Sequence, residues 1–114
     1  MNIRLAQMED APVLDALLTR LIRYEHRYDG NLNPDYTVTD NYANMLGHEG
    51  CKIWLAEDNG VACGYLCAIV YDFPVYKRPV VVLDALYVCE EHRRRGIATA
   101  LMAQMKSYAA TINA

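Results

Sequence analysis

The chain has 114 residues, 54% of them hydrophobic and 22% charged, with a formal net charge of −3. That balance fits one soluble globular domain and excludes a disordered tail, and no apolar run approaches the roughly 18 residues of a membrane helix. Four cysteines are too few and too strand-embedded for a secreted disulfide scaffold, so a reducing cytoplasm is the expected compartment.

Asn2 to Leu5 reads as a short strand. From Glu9 to Tyr28 the residues Val13, Leu14, Leu17, Leu18, Leu21 and Ile22 form one helical stripe, with Asp15, Thr19, Arg23, His26 and Arg27 mostly opposite. Asp10 is placed to cap this helix and Pro12 suits its first turn. A shorter helix is expected from Thr39 to Leu46, capped by Thr39 and stopped by Gly47. Cys51 to Glu57 alternates as a strand, and Asp58-Asn59-Gly60 signals a tight hairpin into a second strand, Val61 to Tyr71. A third strand, Val80 to Val88, is apolar apart from Asp84, and Gly96 to Ala110 places Ile97, Leu101, Met105 and Tyr108 on one helical face. The expected fold is α+β: a mainly antiparallel sheet of about four strands in the order β-α-α-β-β-β-α, one domain over residues 1–114.

The informative stretch runs from Val88 through Glu90-Glu91-His92-Arg93-Arg94-Arg95-Gly96-Ile97-Ala98-Thr99 to Leu101. Three arginines at a helix start oppose the helix dipole. A bound anion would reconcile them, with Gly96 and Ala98 letting it approach the backbone; a solvated basic turn is the plainer alternative. No Gly-Lys-Ser/Thr loop and no Gly-x-Gly-x-x-Gly fingerprint occurs. What remains is Arg93-x-x-Gly96-x-Ala98, following a strand and opening a helix.

That segment resembles the acetyl-CoA-binding motif of the GCN5-related N-acetyltransferase (GNAT) superfamily, Gln/Arg-x-x-Gly-x-Gly/Ala. Leu83 to Val88 resembles the family's fourth strand, and the early strand, two helices, hairpin and Gly64-Tyr65 follow the family order. The resemblance implies an acyl-CoA N-acyltransferase fold and transfer of acetyl from acetyl-CoA to a primary amine by direct attack. It implies that main-chain N–H groups of Arg94, Arg95, Gly96, Ile97, Ala98 and Thr99, with Arg93 at the motif's first position, hold the coenzyme pyrophosphate. The pantetheine arm would pair with Leu86, Tyr87 and Val88. Asp84 falls where some members place a proposed catalytic base, and strand alternation puts Asp84, Leu86 and Val88 on one face, with burial expected to tune the carboxyl.

No metal is expected, since Cys63 and Cys67 match no zinc spacing and Cys51 and Cys89 lie apart; His26, His48 and His92 form no cluster. The acceptor is expected to be a small-molecule or peptide amine. Tyr24, Tyr28 and Tyr36 with Glu25, Asp29 and Asp35, and the loop Tyr71-Asp72-Phe73-Pro74, suggest an acidic, aromatic rim that would suit a cationic one such as a polyamine or aminoglycoside. Net charge argues against a nucleic-acid partner, and no membrane partner is expected. The family pattern continues beyond Ala114 with a further strand, a helix, a closing strand pair and the tyrosine that protonates the leaving thiolate. This incomplete domain is therefore expected to expose its fourth strand and associate there, as a homodimer or with another chain. A non-catalytic coenzyme A-binding module, or an inactive fragment, is the alternative.

Overall fold

Alternating side chains pair four strands into one sheet in the order β1 (Asn2–Leu5), β2 (Cys51–Asp58), β3 (Val61–Tyr71) and β4 (Val80–Val88), every neighbour antiparallel. The computed structural model, which describes residues 1–114, places helices on both faces of this sheet. On one face α1 (Ala11–Glu25) and α2 (Asn41–Leu46) bury Leu14, Leu17 and Tyr42 against Ile53, Leu55, Tyr65 and Tyr87. On the other, α3 (Ile97–Thr111) presents Ile97, Leu101, Met105 and Tyr108 to Trp54, Leu66 and Leu86. Each fully buried Leu or Ile contributes about 2 kcal/mol of transfer free energy. The fold is the expected α+β arrangement. Asn59 (φ 52°) and Gly60 (φ 79°) make the two-residue hairpin turn, both in the left-handed region that such turns require.

Three local expectations change. Asp15 and Thr19, placed opposite the apolar stripe of α1, are each only 6% exposed, while Val13 of that stripe faces solvent. The Asp15 carboxylate accepts the Tyr42 N–H at 3.0 Å, and the Thr19 hydroxyl accepts the Val38 N–H at 3.0 Å. The chain after α1 folds back over it, so a second face is buried and its polar groups become anchors for α2. α2 itself starts at Asn41, after Asp40 at φ 58°, rather than after Thr39.

Asp10 also acts differently from a simple cap of α1. Its carboxylate accepts the Gln7 N–H at 2.7 Å and two bonds from the Arg4 guanidinium at 2.8 and 2.9 Å, and Arg4 continues to Glu57 at 2.8 Å. The Arg4 guanidinium, helped by the Gln7 N–H, holds the Asp10 carboxyl below its ordinary range against the opposing effect of burial. A depressed folded-state pKa stabilises the fold above the unfolded value of about 3.9, and that contribution disappears as pH falls through the folded value. Asp10→Asn is expected to cost on the order of 2 kcal/mol at neutral pH, less than a fully buried pair, and to flatten the acid limb of stability. Urea midpoints measured across the acid range, wild type against variant, check this.

Candidate active site

β4 ends the sheet, so one of its edges has no strand beside it. The Cys89 N–H donates to the Cys63 carbonyl at 2.8 Å, which makes these two a hydrogen-bonded pair. Alternation along the antiparallel ladder then points the backbone groups of Tyr87 at β3 and those of Leu86 and Val88 at the open edge. Of the three residues expected to receive the pantetheine arm, Leu86 therefore offers both its N–H and its C=O and Val88 its N–H, the Val88 carbonyl being taken by the Arg93 side chain. Tyr87 does not; its buried ring supports the site from the α1 side.

Cys67 pairs with Ala85 and Ala68 with Leu83, so Asp84 is the extra residue of a β-bulge. The expected single face for Asp84, Leu86 and Val88 is thereby overturned. Leu86 and Val88 pack on the α3 side. Asp84 instead joins Leu18, Ile22, Glu25, Tyr42 and Met45 around a cavity of about 620 Å³ on the α1–α2 side. The bulge re-aims the Asp84 side chain relative to Leu86 and Val88. Asp84 is exposed rather than buried. Beneath it, the Cys51 thiol 3.9 Å away, burial and the Asp84 charge all push the Cys67 thiol up, so it stays protonated.

Past Cys89 the chain makes a short 3-10 turn, Glu90–His92, and enters α3 after Gly96. Arg94 (φ 64°) and Gly96 (φ 78°) both take left-handed backbone, which curls the segment. The first helical bond runs from the Ala100 N–H to the Gly96 carbonyl at 3.0 Å. None of the N–H groups of Arg94, Arg95, Gly96, Ile97, Ala98 or Thr99 has an acceptor within the protein. Consecutive free donors at a helix N-terminus form a cup for an anion. A cavity of about 230 Å³ lies there, lined by Val88, His92, Arg93, Arg94 and the first residues of α3.

The guanidiniums of Arg93 and Arg95 are engaged elsewhere, contrary to the expectation that all three arginines converge on the cup, while Arg94 lines the cavity. Arg93 Nε donates to the Val88 carbonyl at 3.0 Å, and its guanidinium lies 4.4 Å from the Tyr24 ring centroid and 5.8 Å from that of Tyr87. The Arg93 N–H is also engaged, with the Glu90 carbonyl at 3.3 Å. Arg93 is a staple between α1 and the turn. Arg95 reaches the hairpin at Asp58, 3.1 Å away. The backbone makes the cup, and the side chains hold it in shape.

Sequence reasoning gave His92 no role, yet it lines the cup, with Nε2 at 3.7 Å from Asp58 and a buried Nδ1 lacking a partner. Its position immediately before the motif was the available signal. The Cys89 thiol is pushed up by burial, with Arg20 Nη1 at 3.2 Å opposing that shift, so it is a protonated core group. From the expected aromatic and acidic rim, only Glu25 lines the cavity at Asp84; Tyr28, Asp29, Asp35, Tyr36 and the Tyr71-to-Pro74 loop lie outside it. No group of three or more His, Cys, Asp or Glu side chains is placed to hold a metal ion. No helix is long and apolar enough to cross a membrane.

Comparison with known proteins gives the same assignment by an independent route. Residues 18–114 match the model of the Acetyltransferase (GNAT) family. N-acetyltransferase 8 of Homo sapiens is 32% identical over 72 residues, a segment covering 63% of this chain and 32% of that protein. The chain thus spans about a third of that relative's length. Among solved structures, an acetyltransferase from Vibrio fischeri superposes with a TM-score of 0.80 at 24% identity, over 97% of this chain and 88% of that one. An aminoglycoside N-acetyltransferase in complex with CoA superposes with a TM-score of 0.67 at 22% identity, over 96% and 71% of the two chains. The motif, the open edge beside a bulge, the anion cup and a family match over most of the chain agree: the protein belongs to the GNAT acetyltransferase family.

Proposed function

We propose that the chain is the coenzyme-binding domain of an acetyl-CoA-dependent N-acetyltransferase, acting on a primary amine by direct attack. The acceptor-less N–H groups from Arg94 to Thr99 carry this reading, because unpaired donors at the start of α3 suit a pyrophosphate and nothing else in the fold satisfies them. The coenzyme supplies the acetyl group as a thioester. Leu86 and Val88 pair with the amides of its pantetheine arm as a neighbouring strand would. The Leu86 N–H, beside the bulge, is the donor for the thioester oxygen as negative charge grows there. Asp84 faces the cavity from which an amine would approach and accepts the proton the nitrogen loses. All four cysteines are free thiols, which supports a reducing compartment such as the cytoplasm.

Calorimetry with acetyl-CoA tests the reading, since absence of binding heat would sink it. Release of free thiol over a panel of amines then separates a transferase from a module that only binds the coenzyme. In the transferase, Asp84→Asn is expected to lower kcat about 100-fold with little change in KM. A second reading concerns the other half of the same edge. Val80, Val82 and Leu83, before the bulge, are exposed apolar residues on a strand with one open edge, and we assign that edge to pairing with a second copy of the chain. Light scattering should give a dimer mass; a stable monomer at high protein concentration would count against it.

A further inference from the structure

A second charged cavity, of about 230 Å³, lies on the α1 face at the far end of β4. Arg20, Arg23 and Tyr24 reach it from the last turns of α1 and Arg27 from the turn that follows, and Arg93 and Glu90 close it from the turn after β4. Arg20 is answered by Glu91 at 3.1 Å. Arg23, Arg27 and Arg93 take part in no ion pair. Arg93 and Arg27 lie against the same Tyr24 ring, at 4.4 and 5.2 Å from its centroid. Crowding guanidiniums around one ring, with Glu90 as the one carboxylate in the cavity lining, leaves net positive charge that solvent alone compensates. Planar guanidiniums in such an array match a carboxylate.

This cavity shares its helix and its strand with the one at Asp84. α1 contributes Glu25 to the first and Arg23 to the second, the turn after α1 adds Arg27 to the second, and β4 contributes Asp84 and Tyr87 respectively. Asp84 and Tyr87 are separated along β4 by roughly 10 Å, at about 3.3 Å per residue. Of these two neighbouring cavities, the one at Asp84 is therefore acidic and the one at Tyr87 basic. The N–H cup at the start of α3 is a separate cavity that meets the basic end through Arg93, which lines both.

We propose that Arg23, Arg27 and Arg93 bind an anionic group of the acceptor itself. The preferred acceptor is then a short acidic peptide, whose amino terminus meets Asp84 and whose carboxylate side chain, roughly 10 Å away at the third residue, meets the arginines. This rests on the assignment of the Asp84 cavity as the amine end. It replaces the purely cationic acceptor expected from the rim residues with one that carries both charges.

Binding to the full chain, without any need for turnover, tests the idea. Coenzyme A is titrated first by calorimetry, and the saturated protein is then titrated with Ala-Ala-Glu, Ala-Ala-Gln and Ala-Ala-Lys amides. The Glu peptide should bind at least about 10-fold more tightly than the Gln peptide, and the Lys peptide more weakly than either. In Arg23→Gln/Arg27→Gln, whose changes are at exposed positions, that advantage should fall below about twofold with coenzyme affinity unchanged. Equal affinities in the wild type, or an advantage that survives in the variant, overturn the proposal. So does a fall in coenzyme affinity in the variant, which would assign the arginines to the coenzyme. A wild-type chain that binds no coenzyme A removes the underlying reading and the proposal with it; one that binds it without discriminating the peptides removes the proposal alone.

Discussion

Gly96→Glu is expected to weaken coenzyme A binding at least about 100-fold, the effect of a like charge placed against a phosphate at close range. Gly96 sits in the middle of the run of unpaired donors, and a β-carbon built on it meets nothing within 4 Å. The new side chain would therefore enter open space at the cup rather than jam the fold. Its carboxylate would take the donors meant for the pyrophosphate and repel the ligand. Backbone strain is a separate effect, because φ is +78° and any L side chain there costs about 1–2 kcal/mol of stability. Gly96→Ala isolates the strain and should reduce affinity only a few-fold. Calorimetry on both variants, with circular dichroism to confirm folding, distinguishes electrostatic exclusion from strain. Near-equal affinities for the two would mean that the pyrophosphate lies elsewhere.

Gly64→Ala should destabilise the protein by about 2 kcal/mol and loosen coenzyme binding about 10-fold, although Gly64 touches no ligand position. Gly64 pairs with Val88 across the sheet. A β-carbon on it would lie 2.8 Å from the Tyr87 carbonyl oxygen and 3.3 Å from the Val88 Cα. Those are backbone atoms, so no side-chain rotation relieves the overlap and β4 itself must shift. The atoms that move are the ones that set the open edge and the entry into the N–H cup. Gly30→Ala is the control: its β-carbon meets nothing within 4 Å and its backbone is not left-handed, so stability should be unchanged or slightly raised. Thermal midpoints and acetyl-CoA titrations of both variants check the contrast. Loss of stability with unchanged affinity would mean that the edge tolerates displacement and that the cup forms independently of it.

Much of the architecture was legible in the chain because it is encoded locally. Asn59-Gly60 tolerates positive φ at both turn positions, so the hairpin was placed correctly, and the expected bounds of β3 and β4 match those observed. The face Ile97, Leu101, Met105 and Tyr108 reads off a 3.6-residue period and is the face buried against the sheet. Asp15 and Thr19 were misread for the opposite reason. Polar residues on a helix read as solvent-facing unless another segment covers them, and the segment that does so, at Val38 and Tyr42, lies 19 and 27 residues further along the chain.

The functional site divides in the same way. The sequence by itself determined the helix start and its run of unpaired N–H groups, since Arg93-x-x-Gly96-x-Ala98 and the entry into α3 after Gly96 depend on neighbours within a few residues. Only the tertiary structure decided what the charged side chains do. Whether Arg93 reaches a ligand or the Val88 carbonyl depends on how α1 brings Tyr24 to the turn, and whether Arg95 is free depends on where the β2–β3 hairpin leaves Asp58. Asp84 is the clearest instance. Its identity is visible in the strand, but the face it occupies is set by the register of β3, where Cys67 and Ala68 pair with Ala85 and Leu83 and leave Asp84 over. Period-2 alternation is a property of one strand; a bulge is a property of two strands in register, and a single strand's sequence carries no record of its partner's count.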